Sequence, residues 1–83
     1  MSQKRKLADK IRGNPKNVGF QEACAMAGHL GFPLHRISGS HHIFARKGQK
    51  RNLNFQKKKD GKIPAYQARQ LIEMIDEYES ELE

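Results

Sequence analysis

Apolar residues recur along this chain in two rhythms. Phe20, Ala23, Cys24, Ala27 and Leu30 fall three and four positions apart, which places them on one face of a helix over residues 20–30. Ala25 and Ala27 are small, so the pattern predicts close packing of that helix on a sheet. Gly31 follows where helices commonly stop. Ala68, Leu71, Ile72, Ile75, Tyr78 and Leu82 form a second helical stripe, which predicts a helix from about Pro64 to Glu81. Between the two stripes the rhythm shortens. Residues 32–38 read as a strand starting at or just after Pro33, Gly39-Ser40 as a turn, and residues 41–46 as a second strand. A turn over residues 47–50 leads to residues 51–56, where Leu53 and Phe55 alternate with Asn54 and Gln56 as in a half-buried strand. Lys57 to Gly61 is a charged loop. Near the start, Leu7 and Ile11 suit one or two helical turns or a loose basic arm, ended by Gly13-Asn14-Pro15.

The predicted fold class is α+β: a helix, a three-stranded antiparallel meander and a helix, with a short N-terminal extension. Residues 1–16 are the basic extension and residues 17–83 the domain. Such a chain can bury both helices on one face of the sheet and leave the other face open. Double-stranded RNA-binding domains share this layout.

Size and charge narrow the function. A chain of 83 residues buries only about 60% of its unfolded surface. A substrate must therefore lie across the surface and not in a deep enclosed cavity. No apolar run approaches the roughly 20 residues of a membrane span, and no apolar stretch follows Lys4, Arg5 and Lys6 as in a signal peptide. Cys24 is the single cysteine, which excludes an internal disulfide and predicts a cytoplasmic location. The net charge of +7 hides an asymmetry. All 16 lysines and arginines precede residue 73, while six of the nine acids (Glu73, Asp76, Glu77, Glu79, Glu81 and Glu83) follow residue 72. A field so positive attracts polyanions, of which nucleic acid is the commonest. The acidic end would repel RNA, and suits solubility or contact with a partner.

RNA carries its own nucleophile. Once a base removes the proton of a 2′-hydroxyl, that oxygen attacks the adjacent phosphorus, and an acid protonates the departing 5′-oxygen. Histidine as a residue type suits either task, and nearby lysine or arginine stabilises the phosphate charge. The segment Gly39-Ser40-His41-His42-Ile43-Phe44 offers two imidazoles in a row. In regular strand geometry they point to opposite faces, so they cannot be the base and the acid of one reaction. Cys24 and the four histidines lack the paired spacings of a zinc site, so no metal or cofactor is expected. No serine or cysteine nucleophile has a supporting constellation either.

Three features together resemble the HicA toxin family. They are Gly31-Phe32 before a short strand containing Arg36, the Gly39-Ser40-His41-His42-Ile43-Phe44 turn and strand, and a basic helix after a proline. The likeness runs from about Lys16 to Tyr78. It is closest to a branch with Asn17, Val18 and Phe20 leading in and Pro64-Ala65-Tyr66-Gln67-Ala68-Arg69-Gln70 opening the last helix. Many members carry a Pro-x-His segment before that helix, whereas this chain has Lys62-Ile63-Pro64.

The resemblance implies a double-stranded-RNA-binding-domain-like fold and metal-independent endonucleolytic cleavage of messenger RNA. It also implies neutralisation by a HicB-like antitoxin. It puts the active imidazole at His41, with His42 one register away as the alternative. Arg36, Gly39, Ser40, Lys57, Lys58, Lys59, Lys62 and Arg69 are the expected RNA contacts. Tyr66 is a further phosphate-binding candidate, with packing the preferred reading. Two other readings need less. A non-catalytic RNA-binding domain needs only the fold and the basic face. A protein whose basic face meets an acidic partner needs only the charge.

Overall fold

The computed structural model describes residues 2–82. Its elements are α1 (Gln3–Gly13), α2 (Phe20–His29), β1 (Leu34–Ser38), β2 (His41–Phe44), β3 (Leu53–Gln56) and α3 (Ala65–Glu77). Single 3₁₀ turns lie at Pro15–Asn17 and Glu79–Glu81. The fold is α+β, and the antiparallel strands lie in the order β1-β2-β3. Glu83, the last of the six C-terminal acids, lies outside the described residues.

The N-terminal segment forms an 11-residue helix, longer than one or two turns. Leu7, Ala8 and Ile11 share a face, and Ala8 and Ile11 are buried against α2 and α3. The lysines around them leave that face clear. Ser2 caps the helix: its Oγ accepts the Arg5 N–H at 3.1 Å and donates to the Leu82 carbonyl at 3.3 Å, which ties the two ends of the chain together.

Glu22, in the first turn of α2, reaches back to accept the Gly19 N–H at 3.0 Å. The helix stops at Gly31, whose φ of 78° lies in the left-handed region. The Phe32 N–H then bonds back to the Ala27 carbonyl at 2.9 Å. The buried face is Ala23, Met26, Ala27 and Leu30, with Phe20 and Cys24 at its margin. This phasing leaves Ala25 exposed, so only Ala27 of the two small residues meets the core.

β1 and β2 form a hairpin closed by the two residues Gly39 and Ser40, between the paired Ser38 and His41. Gly39 has a φ of 61° and Ser40 has no positive φ. This is the glycine-first pattern of two-residue hairpin turns. Phe44, Leu53 and Phe55 point from one face of the sheet into the core formed with α2 and α3.

Ala68, Leu71, Met74 and Ile75 bury α3, with Ile72 and Tyr78 at the margin. The helix ends at Glu77, before the predicted Glu81. A run of acids at a helix C-terminus opposes the macrodipole, and the chain tightens into a 3₁₀ turn that brings Leu82 back to the core. A short strap joins the starts of α2 and α3. Phe20 N–H donates to the Gly61 carbonyl at 2.9 Å and Ile63 N–H to the Val18 carbonyl at 3.0 Å.

Candidate functional site

Antiparallel register decides which side chains share a face of the sheet. His42 pairs with Phe55 and Ile37, and Phe44 with Leu53 and Leu34. Since Phe44, Leu53 and Phe55 are core residues, His42 lies on the helix side. His41 pairs with Gln56 and Ser38, and Ile43 with Asn54 and Arg36. These six side chains belong to the opposite, open face.

The two histidines therefore have different surroundings. The His42 ring stands edge-on to Phe20, with centroids 5.0 Å apart and planes at 79°. Its Nδ1 is shut off from solvent and has no hydrogen-bond partner among the described residues. His41 is half-buried, and its Nδ1 lies 3.0 Å from Asn54 Oδ1 on the diagonal of the β2–β3 pair. An amide oxygen only accepts, so this contact requires the proton on Nδ1 and leaves a lone pair on Nε2. Oδ1 remains a fitting acceptor once the ring gains a second proton. The ring can thus take up and release a proton at Nε2 without turning, while Asn54 orients it as the third member of a catalytic set does.

Beside this pair, between the open face and the start of α3, lies a cleft of about 340 Å³ lined by Ile43, Asn52, Asn54, Tyr66, Gln67 and Gln70. A second hollow of about 230 Å³ continues along β3 and α3 and shares Asn52 and Gln70. Gln67, 1% exposed, forms the wall between helix and sheet. Its Oε1 accepts the Gln56 N–H at 2.9 Å, and its Nε2 donates to the Tyr66 hydroxyl at 3.3 Å. Tyr66 is 53% exposed and does not pack as expected. The phase set after Pro64 gives the inward positions to Gln67, Ala68 and Leu71 and leaves Tyr66 outside.

The predicted cations are placed unevenly. Arg36 lies on the open face of β1, and Lys57, Lys59 and Arg69 are exposed. These four make no ion pair with the described residues. Lys58 lies 3.7 Å from Asp60. Lys62 Nζ donates to Asn17 Oδ1 at 2.5 Å, so its ammonium is turned to the segment before α2. The Lys62 N–H holds the Asp60 carboxyl below its ordinary range, helped by the charge of Lys58. Gly39 and Ser40 are exposed at the hairpin tip, and the Ser40 hydroxyl bonds to no described residue.

No known protein family, curated protein or solved structure matches the chain. Among the described residues, no three His, Cys, Asp or Glu side chains gather as a metal site requires, and no helix is long and apolar enough to cross a membrane. The residues that sequence reading missed are Asn54, Asn52 and Gln70. Alternation placed Asn54 on the polar side of β3, but its position beside His41 depends on cross-strand register, which the intervening loop obscures.

Proposed function

We propose that this protein is an endoribonuclease of the HicA toxin type, with His41 as its catalytic base. What supports the reading most is the His41–Asn54 pair: an imidazole fixed at Nδ1, with Nε2 unbonded among the described residues, on a face that the core does not use. Nε2 takes the proton of a ribose 2′-hydroxyl, the 2′-oxygen bonds to the adjacent phosphorus, and the bond from phosphorus to the 5′-oxygen breaks. The departing oxygen takes its proton from the imidazolium so formed or from water. His42, on the other side of the sheet, does not take part. Arg36, Lys57, Lys59 and Arg69 hold the phosphate backbone, with Lys58 and Lys62 nearby in the loop. Gly39 and Ser40 offer backbone and hydroxyl at the hairpin tip. The same reading brings with it a double-stranded-RNA-binding-domain-like fold, a cytoplasmic location, messenger RNA as substrate, no metal requirement and a HicB-like antitoxin as partner.

The test is incubation of purified protein with RNA in EDTA. Wild type and His42→Ala are expected to cut. His41→Ala is expected to lose about 10²–10⁴-fold of the rate, the usual contribution of a placed imidazole, while still binding RNA. Intact RNA with wild type, under conditions where it binds, would leave a non-catalytic RNA-binding domain. Binding that stays flat as salt rises would argue against phosphate contacts altogether and leave a basic face for an acidic protein.

A further inference from the structure

The geometry points to the cleft beside Asn54 as a subsite for one unpaired nucleobase, stacked on Tyr66 and read along its edge by Asn52 and Gln70. This rests on the reading of the open face as an RNA site, and it names the form of RNA taken there: single-stranded at that position.

Three observations converge. First, Tyr66 is 53% exposed and stands apart from the aromatic contacts among the described residues, which join Phe20 to His42, Phe32 to Tyr78 and Phe44 to Phe55. Its hydroxyl is held by Gln67 at 3.3 Å, and Gln67 is itself buried and bonded to the backbone of β3. Tyr66 is therefore anchored at its hydroxyl and about half exposed beside the cleft, a placement that suits a stacking platform. Secondly, Asn52 and Gln70 line the same cleft, and neither amide has a hydrogen-bond partner among the described residues. Each amide carries a donor and an acceptor in one plane, the pattern that matches base edges. Thirdly, Asn54 lines the cleft and also holds His41, so a base bound there has its ribose next to the imidazole. At about 340 Å³ the cleft falls at the small end of ligand sites, which span roughly 300–1,000 Å³. A base inside a duplex is stacked on both sides and cannot offer a face to Tyr66, so the nucleotide must be unpaired.

The test uses the full chain with short 2′-O-methyl oligoadenylate and oligouridylate, which lack the attacking hydroxyl and stay intact whatever the protein's activity. An abasic strand of the same length is the control. Tyr66→Ala is expected to weaken binding of the base-bearing strands about 5- to 150-fold, the span of one lost stacking contact, and to leave the abasic strand unaffected. Tyr66→Phe, which keeps the ring and loses the Gln67 bond, is expected to weaken binding less than Tyr66→Ala. Gln70→Ala, also on the exposed surface, is expected to change the ratio of the two affinities. Equal loss on both kinds of strand, or no loss with Tyr66→Ala, overturns the base site, and an unchanged ratio with Gln70→Ala overturns its edge reading. Cleavage of ordinary RNA is scored separately. Cleavage without a Tyr66 effect removes the subsite alone, while a Tyr66 effect without cleavage removes the enzyme and keeps the subsite.

Discussion

His41 and His42 are neighbours in sequence and strangers in environment. The strand's period of two sends one ring to the open face and the other toward Phe20. Among the described residues only the first finds a polar partner, at Asn54. The second leaves Nδ1 shut off from solvent and without a hydrogen bond among the described residues, a state that costs folding free energy. His42→Phe removes that nitrogen and keeps an aromatic ring against Phe20. The expected outcome is a protein more stable by up to about 1 kcal/mol in urea unfolding, with any RNA cleavage unchanged. A loss of stability greater than about 1 kcal/mol would mean that the imidazole meets a polar partner after all. The same substitution at His41 exposes an apolar ring, leaves Asn54 unpaired and, under the proposed function, ends catalysis.

At the scale of elements, the free edge of β3 is closed by α3 through one side chain. The Gln56 N–H points away from β2, and the buried Gln67 accepts it at 2.9 Å. Covering an edge in this way removes an unpaired backbone group and a template for foreign strands. Gln67→Leu keeps the volume and deletes the acceptor. It is expected to cost about 1–3 kcal/mol and to speed hydrogen exchange at the Gln56 amide. Unchanged exchange there would show that the bond is not what protects the edge. Sequence periodicity could not reveal Gln67, because a glutamine inside an apolar stripe reads as a break in it. It did reveal α2 and α3, where apolar residues recur at helical spacing, and the three strands, which turn residues and alternation delimit. It understated α1, because Ala8 contributes little to a hydrophobic pattern yet fits a tight helix–helix contact. It missed Met26 and Met74 in the core and overran α3 into Glu79–Glu81. The histidine motif was legible as a local feature of residues 39–44. Asn54 was not, because its place beside His41 is fixed only when β2 and β3 pair across the loop from Ala45 to Asn52. The exposure of Tyr66 was hidden for a related reason: the phase of α3 depends on which residues the sheet accepts.

Across the whole molecule the C-terminal acids turn inward on the arginines. Glu73 meets Arg51, Asp76 and Glu79 meet Arg12, and Glu81 meets Arg46 through two bonds of 3.0 Å each. Arg46 also donates to the Leu30 carbonyl at 2.8 Å and lies 3.8 Å from the Tyr78 ring centre. One guanidinium thus joins the end of α2 to the end of the chain, which explains why the acidic segment folds back. The arrangement pairs the C-terminal acids with one set of cations and leaves Arg36, Lys57, Lys59 and Arg69 without an ion pair among the described residues, as the proposed RNA site requires. It also makes the fold acid-sensitive. The Glu81 carboxyl is held below its ordinary range by Arg46, and the Glu22 carboxyl by Lys10 and then by the Gly19 N–H. A carboxyl whose pKa is lowered on folding favours the folded chain wherever the unfolded chain ionises it, above about pH 4.3. That advantage shrinks as pH falls through the lowered folded value. The urea midpoint is therefore expected to fall between about pH 5 and pH 2. The double variant Glu22→Gln, Glu81→Gln is expected to be less stable than wild type near neutrality and to match it once both carboxyls are protonated. If the gap between the two persists at the acid end, ionised carboxylates do not hold the chain's end in place. The packing of Leu82 and Tyr78 on the core would then be sufficient.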